Sequence, residues 1–210
     1  MLDNIKSYYI TKIVFSFINS ITSYKLVKYN KSLVNILEIN LLYFKNLSKI
    51  YIIYEKNRNV KEYNIHYDSV IFEGEYLNGK RNGKGKEYCY YNGKLIFEGE
   101  YLNGKRSGKG KEYDNKRRLI YEGEYLNGYK NGKGKEYDSN GNIIYEGGFL
   151  VGKRKGKGKE YFDNGELKFE GSYLFGKRNG MGKEYDKNGN LIYEGEYSDD
   201  KRRKGAKVKK

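Results

Sequence analysis

Residues 121–144 read Tyr-Glu-Gly-Glu-Tyr-Leu-Asn-Gly-Tyr-Lys-Asn-Gly-Lys-Gly-Lys-Glu-Tyr-Asp-Ser-Asn-Gly-Asn-Ile-Ile, and this stretch decides the fold because the chain repeats it. Near copies begin at Phe72, Phe97, Tyr145 and Phe169. The glycines of successive Phe/Tyr-Glu-Gly steps are Gly74, Gly99, Gly123, Gly147, Gly171 and Gly195, spaced 25, 24, 24, 24 and 24 residues. A fixed period of this length marks an array of supersecondary units, each burying its apolar side against its neighbours. A sixth unit opens at Tyr193 and runs into Lys201-Arg202-Arg203-Lys204, where Lys201 and Arg202 fall in the places of Lys177 and Arg178. In the other direction Lys61-Glu62-Tyr63 copies Lys86-Glu87-Tyr88 without the glycines, so residues 47–71 read as a degenerate leading unit or cap.

Within a unit Phe72, Gly74 and Tyr76 alternate with Glu73 and Glu75, a period of two that predicts a strand. Asn78-Gly79 through Gly83 predicts a turn, and Lys84 to Tyr88 the returning strand. A second turn is expected at Asn92-Gly93, Asn140-Gly141, Asn164-Gly165 and Asn188-Gly189, where Asn-Gly signals a tight hairpin with positive φ at both residues. The fold class is therefore mainly β: an elongated antiparallel meander of tandem hairpins, about 50 Å long at roughly 4.8 Å per strand. Tyr76, Tyr101, Tyr125, Phe149 and Tyr173 recur on one face. They are expected to stack on one another and on Tyr88, Tyr113, Tyr137, Tyr161 and Tyr185, with glycines such as Gly74 and Gly85 leaving room for the rings.

The first 71 residues contain no glycine, whereas the chain has 27. There Ile10, Ile13, Val14, Phe17, Ile18 and Ile21 form one helical stripe, predicting a helix over 7–20. Val27, Leu33, Val34, Leu37, Leu41 and Phe44 predict one or two more helices. The expected layout is a small α-helical region at 1–46, the cap at 47–71, the array at 72–197 and a basic tail at 198–210.

Composition excludes most covalent and metal chemistry. One cysteine, Cys89, and one histidine, His66, cannot build a disulfide, a structural zinc site or a Cys/His nucleophile pair. Both read as surface residues. Glu73 and Glu75 and their copies lack a unique site with separated pKa values, so no catalytic residue, cofactor or metal is expected. Gly79-Lys80-Arg81-Asn82-Gly83-Lys84 has too few residues between its glycines for a P-loop and leads into a strand. No apolar run approaches the ~20 residues of a membrane-spanning helix, and no signal cleavage site follows the N-terminal region, so an intracellular protein is expected.

Charge is the main functional clue. The 210 residues hold 42 Lys and Arg against 27 Asp and Glu, a net charge of +15. Lysine, asparagine, isoleucine and tyrosine all have A/T-rich codons, so genome composition alone can raise the total; position is more informative. The first turns gather Lys80, Arg81, Lys84, Lys105, Arg106, Lys109, Lys153, Arg154, Lys157, Lys177 and Arg178. This predicts a basic rim along one edge of the sheet, suited to an acidic phospholipid surface or a partner chain. With no apolar wedge expected at the turns, the attraction should be electrostatic. Nucleic acid is not expected, because a turn spacing of roughly 10 Å does not follow a phosphate strand.

The run Tyr-Glu-Gly-Glu-Tyr-x-x-Gly-x-x-x-Gly-x-Gly over residues 72–197 resembles the MORN (membrane occupation and recognition nexus) repeat. The resemblance implies β-hairpin units and a noncatalytic array for membrane attachment or protein scaffolding, with Gly74, Gly99, Gly123, Gly147 and Gly171 as structural repeat positions. The usual tryptophan of the first strand is replaced by Tyr76, Tyr101, Tyr125, Phe149 and Tyr173. The period of 24 to 25 exceeds the commoner one, and Lys-Glu-Tyr before an Asn-Gly turn is similar to a variant in some bacterial proteins described as antitoxins. Ile13 to Ile18 followed by Leu26-Val27 resembles an F-box helix pair, without its Leu-Pro start. The expectation is a scaffold peripheral to an acidic membrane, on its cytoplasmic face, that organises other proteins. The alternatives are a purely protein-binding scaffold and an adaptor whose N-terminal helices recruit partner machinery; oligomeric state stays open.

Overall fold

The computed structural model describes residues 50–55, 57–64 and 66–203, and all regular structure among them is antiparallel strand. The helices expected over 1–46, the F-box-like pair included, lie outside the described residues, as does the tail beyond residue 203. The chain divides between Glu73 and Gly74 into two units.

In the first unit β1 (Ile50–Tyr54) and β2 (Asn59–Asn64) form a hairpin in register from Ile50↔Asn64 to Tyr54↔Val60. Val60 and Glu62 are buried. Glu62 holds the place that Glu87 takes in the copied triplet. Strand β3 (Ser69–Leu77) begins in this unit with the fully buried Phe72 and ends in the second.

The second unit continues with β4 (Lys80–Tyr88), β5 (Leu95–Leu102), β6 (Lys105–Tyr113), β7 (Leu119–Leu126), β8 (Tyr129–Tyr137) and β9 (Ile143–Leu150). Then come β10 (Lys153–Tyr161), β11 (Leu167–Leu174), β12 (Lys177–Tyr185), β13 (Leu191–Ser198) and the short β14 (Lys201–Arg202). Within each unit, strands pair in chain order, so the sheet is a meander.

The two kinds of turn differ from the expectation. Pairs such as Leu102↔Lys105 and Leu126↔Tyr129 leave two-residue loops at the first turn. Both loop residues are left-handed there: Asn103 and Gly104 have φ of 50° and 86°. That is the tight primed hairpin whose twist matches the strands. At the second turn a single residue is left-handed, a glycine such as Gly141 at 87° or, after β6, Arg117 at 64°. The Asp138 carboxylate instead accepts the amides of Asn140 (2.8 Å) and Asn142 (2.9 Å), and Gly141 N–H donates to the Asp138 carbonyl (3.2 Å). Aspartate thus captures the backbone and builds a longer loop. Asp114 and Asp186 do the same. The positive-φ pair therefore belongs to the first turn and not to the second.

The core is a strip of facing glycines with rings laid on it. Gly99 pairs with both Gly85 and Gly110, and Gly123 with both Gly110 and Gly134. A Cβ on Gly110 would approach the Phe97 ring to 2.5 Å, and one on Gly182 would approach Phe169 equally closely. Phe97, Tyr121, Tyr145 and Phe169 are consequently buried completely. Their edge-to-face contacts with the second aromatic of each strand run unbroken from Tyr101 to Tyr193; Phe97–Tyr125 and Tyr121–Phe149, at 5.1 and 5.2 Å, link one repeat to the next. Such pairs contribute about 0.5–1.5 kcal/mol each beyond area burial.

Candidate interaction surfaces

On the aromatic face the returning strands β4, β6, β10 and β12 carry an arginine and a glutamate six residues apart. Arg106 donates to Glu87 of the preceding repeat through Nε (3.2 Å) and Nη2 (2.6 Å), and through Nη1 to Glu112 of its own (3.0 Å). Arg178 makes the same fork to Glu160 (3.3 and 2.6 Å) and reaches Glu184 (3.3 Å); Arg154 bridges Glu136 and Glu160. The guanidinium of Arg106 lies 4.0 Å from the Phe97 ring centroid, and that of Arg178 4.2 Å from Phe169. Tyrosine hydroxyls complete the carboxylates: Tyr101 donates to Glu87 and Tyr173 to Glu160, both at 2.8 Å.

Burial disfavours the Glu87 and Glu160 carboxylates, but hydrogen bonds and charge from the arginines, with the tyrosine donors, outweigh it and hold both below the usual carboxylate range. The hydrogen bonds of Glu160 likewise raise the pKa of Arg178 against the effect of burial. Lys130 replaces arginine in the third repeat. It pairs with Glu112 at 3.2 Å and sits 4.2 Å from the Tyr121 centroid, but has no fork to offer.

The second-strand tyrosines do not join the aromatic stack, contrary to the expectation. They lie on the opposite face, where Tyr113 donates to Glu98 (2.6 Å), Tyr137 to Glu122 (2.6 Å), Tyr161 to Glu146 (2.5 Å) and Tyr185 to Glu170 (3.0 Å). Desolvation and then these hydrogen bonds push the Tyr113 and Tyr161 hydroxyls up to about 12. Lysines alternate with the acids across this face, as in Lys109↔Glu124 and Lys111↔Glu122.

The structure divides the expected basic cluster by residue type. Lys80, Lys84, Lys105, Lys109, Lys153, Lys157 and Lys177 are exposed. Arg81, Arg106, Arg154 and Arg178 are half-buried in the ladder, Arg81 through Glu87 at 3.2 Å. Arg202 joins them, donating to Glu184 at 2.6 Å from the short last strand. The ladder glutamates were missed by sequence reasoning. Their signal was the recurrence of arginine and glutamate at a spacing of six in Arg81/Glu87, Arg106/Glu112, Arg154/Glu160 and Arg178/Glu184. His66 is exposed as expected, whereas Cys89 is half-buried. No metal-binding cluster occurs among the described residues.

The MORN repeat model matches residues 72–90, 97–116, 121–143, 145–166, 169–191 and 193–203. The chain belongs to the MORN repeat family. No curated protein matches it. Among solved structures, a mutant of S. aureus TarM in complex with Fondaparinux, alpha-GlcNAc-glycerol and UDP aligns at 10% identity and TM-score 0.28, over 64% of this chain and 22% of that one. The GtfA/B complex bound to UDP and GlcNAc aligns at 10% identity and TM-score 0.26, over 58% and 23%. The MORN chain thus spans less than a quarter of either structure's length.

The turns of this MORN array carry an apolar feature that was not expected. Leu77, Leu102, Leu126, Leu150 and Leu174 precede the tight turns, and all are exposed. At two tips the left-handed asparagine is replaced: Val151 is 58% and Phe175 71% exposed. The edge therefore combines lysines with apolar side chains, which corrects the expectation that it holds no wedge.

Proposed function

We propose that this MORN array is a noncatalytic scaffold that attaches peripherally to acidic membrane surfaces and organises partner proteins along its sheet. The observation that carries the reading is the repeated corner: an exposed leucine followed by an exposed lysine at Leu77/Lys80, Leu102/Lys105, Leu150/Lys153 and Leu174/Lys177. A basic side chain near an anionic bilayer contributes about 1 kcal/mol, and several corners on one rigid sheet act together. The arginines hold the repeats to one another, which leaves membrane contact to the lysines. Among the described residues no helix is long and apolar enough to cross a membrane, so attachment is through the surface of the sheet.

The test is cosedimentation with phosphatidylcholine vesicles with and without phosphatidylserine, residues 204–210 being removed from every protein compared. Changing Lys80, Lys84, Lys105, Lys109, Lys153 and Lys157 to Gln should abolish binding to the acidic vesicles. Binding of the unaltered array should weaken as salt shortens the screening length to about 8 Å near physiological strength. Unchanged binding after neutralisation, or none at low salt, overturns the membrane reading in favour of a scaffold for proteins alone.

A further inference from the structure

The repeats are not equivalent at their membrane-competent edge. In the first three, the second acid of the first strand is Glu75, Glu100 and Glu124; in the next two it is Gly148 and Ser172. Cross-strand pairing makes the consequence local. Lys84 stands opposite Glu100 and Lys109 opposite Glu124, whereas Lys133 stands opposite Gly148 and Lys157 opposite Ser172. The loss at Gly148 is built in, since a Cβ there would overlap the Lys155 carbonyl. Lys155 itself is an added base, where the other repeats have Asn82, Ser107, Asn131 and Asn179.

The apolar tips fall in the same two repeats. Val151 and Phe175 occupy the left-handed position, at φ of 47° and 51°, that Asn78, Asn103 and Asn127 occupy elsewhere. A β-branched or aromatic residue is disfavoured in that region, so these side chains are kept at a conformational cost. Strain of this kind at an exposed tip points to a use outside the fold.

We infer that the edge formed by the β9–β10 and β11–β12 turns is the bilayer-inserting site of the array. Val151 and Phe175 enter the acyl boundary of an anionic phospholipid bilayer, and Lys133, Lys153, Lys155 and Lys157 meet its headgroups. The inference rests on the membrane reading above and narrows it from the whole rim to two hairpins. The occupant is a bilayer rather than a protein because of shape and charge together. The apolar groups sit on two protruding turns roughly 10 Å apart, two strand spacings. Two such points bury far less than the roughly 1,200 Å² of a stable protein interface. A fluid surface closes around separate points, and its order of chemistry, anionic outside and apolar within, matches lysines set behind apolar tips.

The chain contains no tryptophan, so a single introduced one reports without background. Leu174→Trp and Leu102→Trp place the probe at equivalent exposed positions inside and outside the proposed site. With full-length protein and phosphatidylserine-containing vesicles, the Leu174→Trp emission should shift to the blue and be quenched by brominated lipid, while Leu102→Trp should respond little. Val151→Asn combined with Phe175→Asn restores the residue of the other turns and should lower vesicle partitioning at least about tenfold, the loss of two buried apolar side chains. Equal responses from the two probes, or undiminished partitioning of the double variant, overturn this inference and leave the membrane reading standing. If the unaltered chain does not bind acidic vesicles at low salt, both fall.

Discussion

Arg178 on β12 reaches across β11 to Glu160 on β10, with Nη2 at 2.6 Å from Oε2, so the carboxylate of one repeat is held by the guanidinium of the next. The relation recurs between Arg106 and Glu87, Arg154 and Glu136, and Arg202 and Glu184. A MORN repeat in this chain is therefore not closed on itself; its own arginine reaches the half-buried acid only through Nη1, as Arg154 reaches Glu160 at 3.4 Å, and the closer two-point fork forms only when its neighbour is folded. That requirement makes the ladder a source of cooperativity along the array as well as of stability.

Arg178→Ala should lower the unfolding free energy by about 2–3 kcal/mol, because Glu160 stays half-buried with a poorer donor set. Arg178→Lys should recover only part of it, since an ammonium cannot make the fork. Exposed Lys177→Ala is the control and should change stability by less than about 0.5 kcal/mol. Urea denaturation measures all three, and equal losses for Arg178→Ala and Lys177→Ala would remove the ladder from the account.

Gly134→Val should be far more damaging than Glu124→Gln. A Cβ at Gly134 would come 2.7 Å from the Tyr121 ring, while Glu124 is exposed. Overpacking costs about 1–3 kcal/mol, and the glutamine keeps an oxygen for the Lys133 amide. Similar melting temperatures for the two variants would place the packed face on the wrong side of the sheet.

The ladder also sets a pH window. Glu87, Glu160 and Glu184 have folded pKa values below their unfolded ones, so their stabilisation is fully present above the unfolded value of about 4.3 and is lost as pH falls through the folded values. Tyr113 and Tyr161 are raised to about 12 by burial and by their bonds to Glu98 and Glu146. Their contribution is present below the unfolded tyrosine value of about 10 and is lost as pH rises through the folded values. Unfolding free energy against pH should fall on both sides of this range. The acid limb should shrink when Glu87, Glu160 and Glu184 are changed together to Gln; an undiminished limb would assign it to other carboxylates.

Val151→Asn and Phe175→Asn should each stabilise the array, by about 1 kcal/mol, because asparagine accepts the left-handed backbone at these tips. Urea denaturation of the single variants tests this. No gain would show that these turns carry no strain.

Much of this protein was determined by sequence alone. The period of 24 to 25 residues, the alternation in Phe72-Glu73-Gly74-Glu75-Tyr76 and the two glycine-bearing turns dictate a hairpin meander, because each is a local rule with a local physical cause. That glycines make room for rings was legible too, but the rings laid on them are the first aromatics of the strands, as Phe97 on Gly99 and Gly110, and the expected row of Tyr101 and its copies packs edge-on against those. What only tertiary structure decided depends on partners outside the repeat unit. Whether Arg106 faces solvent or an acid is settled by Glu87, 19 residues away on β4, with β5 between them. Tyr161 has the parity opposite to Gly158 and Glu160, so alternation alone sets it off the ring face; the expectation that it joins the stacked rings fails because its hydroxyl finds Glu146 of the preceding strand on the other face. The longer second turn was likewise visible only in the folded chain, where Asp138 captures the backbone amides and, in the turns that have Cys89 or Phe162 at that place, Asn92 and Asn164 accept the amides of Lys94 and Glu166. Repetition specifies the unit through short-range sterics; the division of the basic residues into ladder and edge arises from hydrogen bonds and charges that come together only when the repeats are side by side.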